Sequence, residues 1–142
     1  MEDFYRQLAN PWVFFPIGYL FTITIETPIL CVGLSPQHPL SRRLLCGLWL
    51  TACTYPMVVL VVPQFLDVTD QRPAYLAVAE SIAHFGECIL FYLAFRPLQQ
   101  FWRDMITVFV ANLASFNLGE LTYYLIDAFL GNAHRLDEVP FP

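Results

Sequence analysis

The chain has 142 residues, of which 57% are hydrophobic and 13% are charged, and its formal net charge is −5. A soluble globular domain carries about 25% charged residues, so this chain has too few charges to cover a surface that faces water. The composition excludes an ordinary soluble domain, and the acidic balance argues against nucleic acid as a partner.

Four apolar stretches follow one another along the chain, at 12–34, 44–65, 74–95 and 105–130. Each is long enough to cross a hydrocarbon core of ~30 Å as a helix that rises ~1.5 Å per residue. Barrel strands would alternate apolar and polar residues, and these stretches do not. The sequence therefore predicts an all-α polytopic membrane protein, a single domain over 1–142 with four transmembrane helices.

Arginine provides all seven basic residues and indicates the orientation. The first and third loops contain four of them, which are Arg42, Arg43, Arg96 and Arg103. The positive-inside rule places those two loops in the cytoplasm and both termini outside it. Compact length and short loops favour a prokaryotic inner membrane. We expect the first span to be retained, because no small-residue cleavage site follows a short apolar core, and we expect the tail from Gly131 to be extended.

An internal repeat is indicated between residues 12–65 and 74–130. An offset of 61 positions aligns Glu26 with Glu87, Pro36 with Pro97, Arg42 with Arg103, Thr51 with Asn112, and Thr54 with Ser115. The offset predicts two tandem helical hairpins, related by a pseudo-two-fold axis along the membrane normal. Helix rise then places both glutamates ~12 Å from the same boundary, at the level of Thr51 and Asn112. We expect these polar side chains, with Thr54 and Ser115 in support, to form one layer.

A second polar group is predicted nearer the opposite boundary. Glu80, His84 and Glu87 have spacings of four and three, so they share one stripe of the third helix. The fourth helix has a comparable stripe that includes Asn112 and Ser115 and continues to Tyr123, with Glu120 beside it. At the 61-residue offset, Glu80 and His84 are replaced by Tyr19 and Ile23. This group therefore belongs to the second half alone.

The chemistry open to these residues is limited by their depth, because an ionised group in hydrocarbon costs several kcal/mol. No lysine or arginine lies inside a predicted span, so the glutamates must be protonated, paired with His84, or bound to a cation. The candidate proton or cation ligands are Glu26, Glu80, His84, Glu87, Asn112 and Glu120. If there is a cofactor, it is a divalent metal held by Glu80, His84 and Glu87, since imidazole and carboxylates suit such ions. Each glutamate could equally be a structural group that bonds a neighbouring helix.

Two functions remain open at this point. The first is a small membrane protein that binds or conducts protons or cations as an oligomer. The alternative is a non-catalytic accessory subunit of a larger membrane complex, whose buried polar groups specify helix pairing. An enzyme is disfavoured because the sequence contains no P-loop, G-x-S-x-G or H-E-x-x-H motif. The expected partners are the lipid bilayer and either further copies of the chain or other subunits.

Overall fold

The computed structural model describes residues 11–67 and 70–137. Within them lie four long helices: α1 (Pro11–Gly33), α2 (Leu40–Pro56), α3 (Arg72–Phe95) and α4 (Phe101–Asp137). No strand occurs in these two ranges. Each helix, with the turns that extend α2 to Gln64, includes a stretch long and apolar enough to cross a membrane. The predicted all-α polytopic fold with four transmembrane helices is confirmed.

The helix ends differ from the predicted spans in informative ways. α2 and α4 begin at Leu40 and Phe101, four residues ahead of the apolar stretches, because a helix can start among the polar residues of the interface. α4 then continues to Asp137, through the segment from Gly131 for which the sequence predicted an extended tail. That prediction is wrong up to Asp137. The next proline is Pro140, so no proline interrupts the helix there.

α2 changes its winding after Pro56. A π-helical turn, Met57–Val61, follows the α-helix, and a short 3₁₀ turn, Val62–Gln64, follows that. Proline has no backbone N–H and its ring displaces the carbonyl one turn earlier, so the regular hydrogen-bond ladder cannot continue unchanged past Pro56 or Pro63. The two prolines account for the irregular last part of α2.

The helices pack as a square. α1 contacts α2, α2 contacts α3, α3 contacts α4, and α4 contacts α1, whereas the backbones of the diagonal pairs do not meet within the described residues. We call the end that carries the 34–39 and 96–100 loops the hairpin end, and the end that carries the α2–α3 loop the terminal end. α1 and α2 approach closely at Gly47, where an added Cβ would lie 2.9 Å from Thr27 Cα.

The interior and the outside of the square differ sharply in chemistry. The fully buried hydrophobic cluster comprises Leu30, Leu34, Cys46, Leu50, Phe91, Val108 and Ala111. Outside, large apolar side chains such as Trp12, Phe85 and Phe129 are exposed. An exposed apolar surface of this extent is unfavourable in water but ordinary in contact with lipid tails. The polar side chains described next lie inside the square.

Candidate functional site

Glu26 lies on α1 and is almost completely buried, with 1% of its surface exposed. Its Oε2 accepts a hydrogen bond from Thr51 Oγ1 of α2 at 2.7 Å, and its Oε1 accepts one from Ser115 Oγ of α4 at 2.6 Å. Both distances lie within the usual range for hydrogen bonds between oxygen atoms. One carboxyl group therefore links α1 to both of its neighbours.

Glu87 occupies the equivalent place on α3 and is 2% exposed. Its Oε1 is 2.7 Å from Thr54 Oγ1 of α2, and its Oε2 accepts a hydrogen bond from Asn112 Nδ2 of α4 at 2.8 Å. Neither carboxyl has a charged partner among these four groups. The structure thus brings together all six side chains that the sequence predicted for the inner layer.

The bonds of the two glutamates correspond to each other under the 61-residue offset. Glu26 and Thr51 are 25 residues apart, as are Glu87 and Asn112. The offset also carries the Glu26–Ser115 bond onto the Glu87–Thr54 bond. Each of the four helix contacts in the square contains one of these bonds. This correspondence supports the pseudo-two-fold arrangement, while the duplication of the chain stays a prediction.

Each hydroxyl of the layer also lies next to a backbone carbonyl of its own helix. Thr51 Oγ1 is 2.9 Å from Gly47 O, Thr54 Oγ1 is 3.2 Å from Leu50 O, and Ser115 Oγ is 2.9 Å from Asn112 O. A hydroxyl has one proton to donate and can accept as well. It can donate to an ionised carboxylate, or it can accept from a protonated carboxyl and donate to the carbonyl.

The amide of Asn112 behaves differently. Its Nδ2 is 2.8 Å from Glu87 Oε2 and 3.2 Å from Val108 O. A carbonyl oxygen only accepts hydrogen bonds, so the amide must present N–H groups to both oxygens. It therefore cannot accept a hydrogen bond from a protonated Glu87. When Glu87 is protonated, Thr54 is the only one of its two partners that can accept the carboxyl hydrogen. Glu26 has two such partners.

Glu80 and His84 lie nearer the terminal end. His84 Nδ1 is 2.8 Å from the backbone oxygen of Glu80 and 3.3 Å from its carboxylate Oε2. The ring of His84 packs against Phe109 of α4, with 4.7 Å between the ring centroids. His84 is 6% exposed, and its Nε2 is buried without a hydrogen-bond partner. Glu80 and His84 therefore form a pair that is separate from the bonds of Glu87.

Glu120 is paired with a cation that the sequence did not assign to it. Arg72, the first residue of α3, approaches both carboxylate oxygens of Glu120 at 2.8 and 2.9 Å. The guanidinium lies over the ring of Tyr123, 4.4 Å from its centroid. The ion pair is partly exposed, with 30% and 24% of the two side chains accessible. The candidates Glu120 and Tyr123 thus belong to the terminal end and not to the inner layer.

The structure does not assemble the predicted metal ligands. Glu87 bonds Thr54 and Asn112, while His84 contacts Glu80. Throughout 11–67 and 70–137, no three His, Cys, Asp or Glu side chains are grouped so that they could hold a metal ion. The stripe was correct as a helical spacing, but its members bond to different neighbours.

A polar cluster at the hairpin end was missed from the sequence. Asp104, in the first turn of α4, is 0% exposed. It accepts hydrogen bonds from the backbone N and Oγ of Ser35 at 2.7 and 3.0 Å and from Gln37 Nε2 at 3.0 Å, and it lies 3.3 Å from His38 Nε2. Arg43 donates to the carbonyls of Cys31, Ser35 and His38. We call this cluster the loop clasp, since it fastens the 34–39 loop to α4.

The position of Asp104 did offer a signal. An acidic residue in the first turn of a helix interacts favourably with the backbone N–H groups there. The identity of its partners depends on how the two hairpins pack.

No known family, curated protein or solved structure matches the chain.

Proposed function

We propose that the chain is a small integral membrane protein that binds and releases protons at the buried carboxyl pair Glu26 and Glu87. One observation carries the proposal. Both carboxyls are buried among neutral groups, and each has at least one hydroxyl partner that can reverse its hydrogen bond. The layer can therefore satisfy a carboxyl with or without its proton.

The same geometry favours protons over metal ions. Each of the four carboxylate oxygens already faces a hydroxyl or an amide N–H at 2.6–2.8 Å. A bound cation needs several oxygen ligands that converge on it with their lone pairs, and the donor hydrogens here occupy those positions. The carboxyls are also satisfied by groups of one chain, so proton binding does not require an oligomer.

Depth supplies the reason for a proton to bind. An ionised carboxylate inside the hydrocarbon region costs several kcal/mol, and protonation removes that cost. The two carboxyls share α2 and α4 as neighbours, through Thr51 and Thr54 and through Asn112 and Ser115. Two acids held in one low-dielectric layer titrate as a coupled pair. We expect proton binding to belong to the pair and not to either glutamate alone.

Infrared spectroscopy of the purified protein in lipid nanodiscs tests the proposal, because a protonated carboxyl has a carbonyl-stretch band that an ionised one lacks. Acidification should add this band in the wild type. The change should be reduced in Glu26→Gln or Glu87→Gln, and the double variant should lack the part of the change that these two buried carboxyls contribute. Glu120→Gln, which changes a partly exposed carboxylate that is paired with Arg72, is the matched control and should keep the change. If the wild type and the double variant give the same pH-difference spectrum, the proposal fails.

A second candidate function is supported by the position of the four bonds, one at each helix contact of the square. The same layer would suit a non-catalytic accessory subunit of a larger membrane complex, in which the glutamates hold the four helices in a fixed order. In that case the protein should leave native membranes with other subunits under mild detergents. Recovery of the chain alone, as a stable species, would count against this candidate and leave the proton-binding one.

A further inference from the structure

We infer that protons reach the carboxyl pair from the terminal end only, through Glu80 and His84. The inference rests on the proposed proton binding and adds its direction. It begins with the distribution of apolar side chains along the square. On every helix the members of the buried hydrophobic cluster lie on the hairpin-end side of the glutamate layer: Leu30 on α1 and Leu34 just after its end, Cys46 and Leu50 on α2, Phe91 on α3, and Val108 and Ala111 on α4.

Two features therefore separate the carboxyl pair from water at the hairpin end. The cluster fills the interior with hydrocarbon next to the layer, and protein interiors of this kind are packed too tightly to admit water. Beyond the cluster, the loop clasp covers the end of the bundle, with Asp104, Ser35 and His38 each at most 2% exposed. Between the clasp and the two glutamates, the buried side chains of the described interior that carry a polar or thiol group are Thr107, whose hydroxyl donates to the carbonyl of Arg103, and Cys46. Neither is a carboxyl or an imidazole.

The terminal side of the layer is different. Among the described residues, Val62 and Ala79 are the only fully buried hydrophobic residues there. Instead, α3 carries two titratable side chains in succession, since Glu80 is one turn from His84 and His84 is one turn from Glu87. Residues three and four apart on a helix lie on the same face. The side chain of Glu80 is 26% exposed and the side chain of His84 is 8% exposed, so the series runs from an accessible group to a buried one.

The ring of His84 is set to accept a proton. Nδ1 lies 2.8 Å from the backbone oxygen of Glu80, which can only accept, so the neutral ring carries its hydrogen on Nδ1. Nε2 then has a free lone pair, and it is the buried ring nitrogen without a partner. An unpartnered buried nitrogen costs free energy that proton transfer or a water molecule would recover. The Glu80 carboxylate, 3.3 Å from Nδ1, stabilises the imidazolium that results.

The charges that face this pair from the other helices are also accounted for. Glu120 on α4 and Glu26 on α1 both interact electrostatically with Glu80. Arg72, the nearby cation, is neutralised by Glu120. The phenols of Tyr75 on α3 and Tyr55 on α2 interact electrostatically with each other at the same end. The excess charge around His84 is thus negative, which favours arrival of a proton.

The transfer balances in protons. One proton from water at the terminal end binds Nε2 of His84 and makes an imidazolium opposite the carboxylate of Glu80. The proton then leaves Nε2 for the ionised carboxylate of Glu87, and His84 returns to its neutral form. The first half has Tyr19 and Ile23 at the corresponding positions, so this route leads to Glu87 and not directly to Glu26.

The test uses vesicles that carry the full chain with an affinity tag after its C-terminus. Vesicles captured by the tag expose the terminal end to the medium, and those that pass through expose the hairpin end. A step of external pH is applied to each, and the infrared band of protonated carboxyls, assigned with Glu87→Gln, is followed in time. We expect the band to respond at least about tenfold faster when the terminal end faces the change of pH. This comparison uses the wild-type chain and needs no substitution of Glu80 or His84.

A variant then identifies the carrier. His84→Gln should slow the response by about a hundredfold, the scale of a single positioned acid–base group, while the final amplitude stays the same. His38→Gln, which changes the buried histidine of the loop clasp, is the matched control and should leave the rate unchanged. An absent band change at equilibrium refutes proton binding itself. A full change with equal rates from both ends, or an unaltered rate in His84→Gln, refutes the inference and leaves proton binding intact.

Discussion

Replacing Thr54 by valine should destabilise the protein more than replacing Thr51 by valine, although the two threonines are closely matched. Both are buried on α2, both lie 2.7 Å from a glutamate oxygen, and both have the carbonyl of the residue one turn earlier as a second acceptor. The difference lies in the other partner of each glutamate. Glu26 has Ser115, which can accept a proton, whereas Glu87 has Asn112, which can only donate.

The magnitude follows from counting hydrogen bonds. Either substitution removes one bond between membrane helices, which contributes ~0.6 kcal/mol on average and ~1.7 kcal/mol at most. In Thr54→Val, the carboxyl hydrogen of a protonated Glu87 also loses its acceptor, and a buried unsatisfied group costs a further ~1–3 kcal/mol. We therefore expect Thr54→Val to cost ~2–4 kcal/mol and Thr51→Val ~1 kcal/mol.

Reversible unfolding in mixed micelles, in which the fraction of a denaturing detergent is increased, gives the two free energies. Thr54→Ser keeps the hydroxyl and should recover most of the loss. The gap between the two valine variants should close under alkaline conditions if Glu87 then ionises, because an ionised carboxylate needs donors and not an acceptor. Equal costs for the two variants under acidic conditions would refute the assignment of hydrogen-bond directions in the layer.

Two further predictions concern packing and the hairpin end. Gly47→Ala should destabilise the protein by ~1–3 kcal/mol, since the added Cβ would lie 2.9 Å from Thr27 Cα. Gly86→Ala should be tolerated, because its Cβ would meet Thr54 Cγ2 at 3.4 Å. The same micelle unfolding measures both variants, and equal costs would contradict the close approach of α1 and α2. Asp104→Ala should cost ~2 kcal/mol or more because it leaves the buried donors of the loop clasp without an acceptor. Limited proteolysis of the 34–39 loop should accelerate in that variant, and an unchanged cleavage rate would show that the loop does not depend on Asp104.

The inner layer could be predicted from the sequence because it depends on helix geometry alone. Once four spans are recognised, the rise per residue fixes the depth of Glu26, Thr51, Glu87 and Asn112, and groups at one depth in a narrow bundle meet. The direction of each bond also follows from residue types, since hydroxyls and amides must donate to an ionised carboxylate. The sequence did not predict which hydrogen-bond donors pair with Glu26 and which with Glu87, because that depends on the order of the helices around the square.

Contacts at the two ends of the bundle were harder to predict. Arg72 precedes the predicted third span and Glu120 lies within the fourth, and their pairing requires α3 and α4 to be neighbours with a known rotation about their axes. The loop clasp depends on the path of the 34–39 loop, which no periodicity describes. Glu80, His84 and Glu87, the ligands considered for a metal ion, are not grouped in the described structure for a related reason. A shared helical stripe says which way side chains point, but neighbouring helices decide what each one bonds.

The cross-hairpin bonds have a consequence for the order in which the chain is made. α1 and α2 are synthesised first, and at that stage Glu26 has Thr51 but not Ser115, while Thr54 has no Glu87 to bond. Membrane insertion of this first hairpin leaves a half-satisfied acid in contact with lipid until α4 arrives. The second hairpin enters with Glu87 and Asn112 already able to pair, and it completes both acids when it docks. A chain that stops after the α2–α3 loop should therefore be a poor membrane protein that quality-control proteases remove, and the second hairpin, supplied as a separate chain, should protect it.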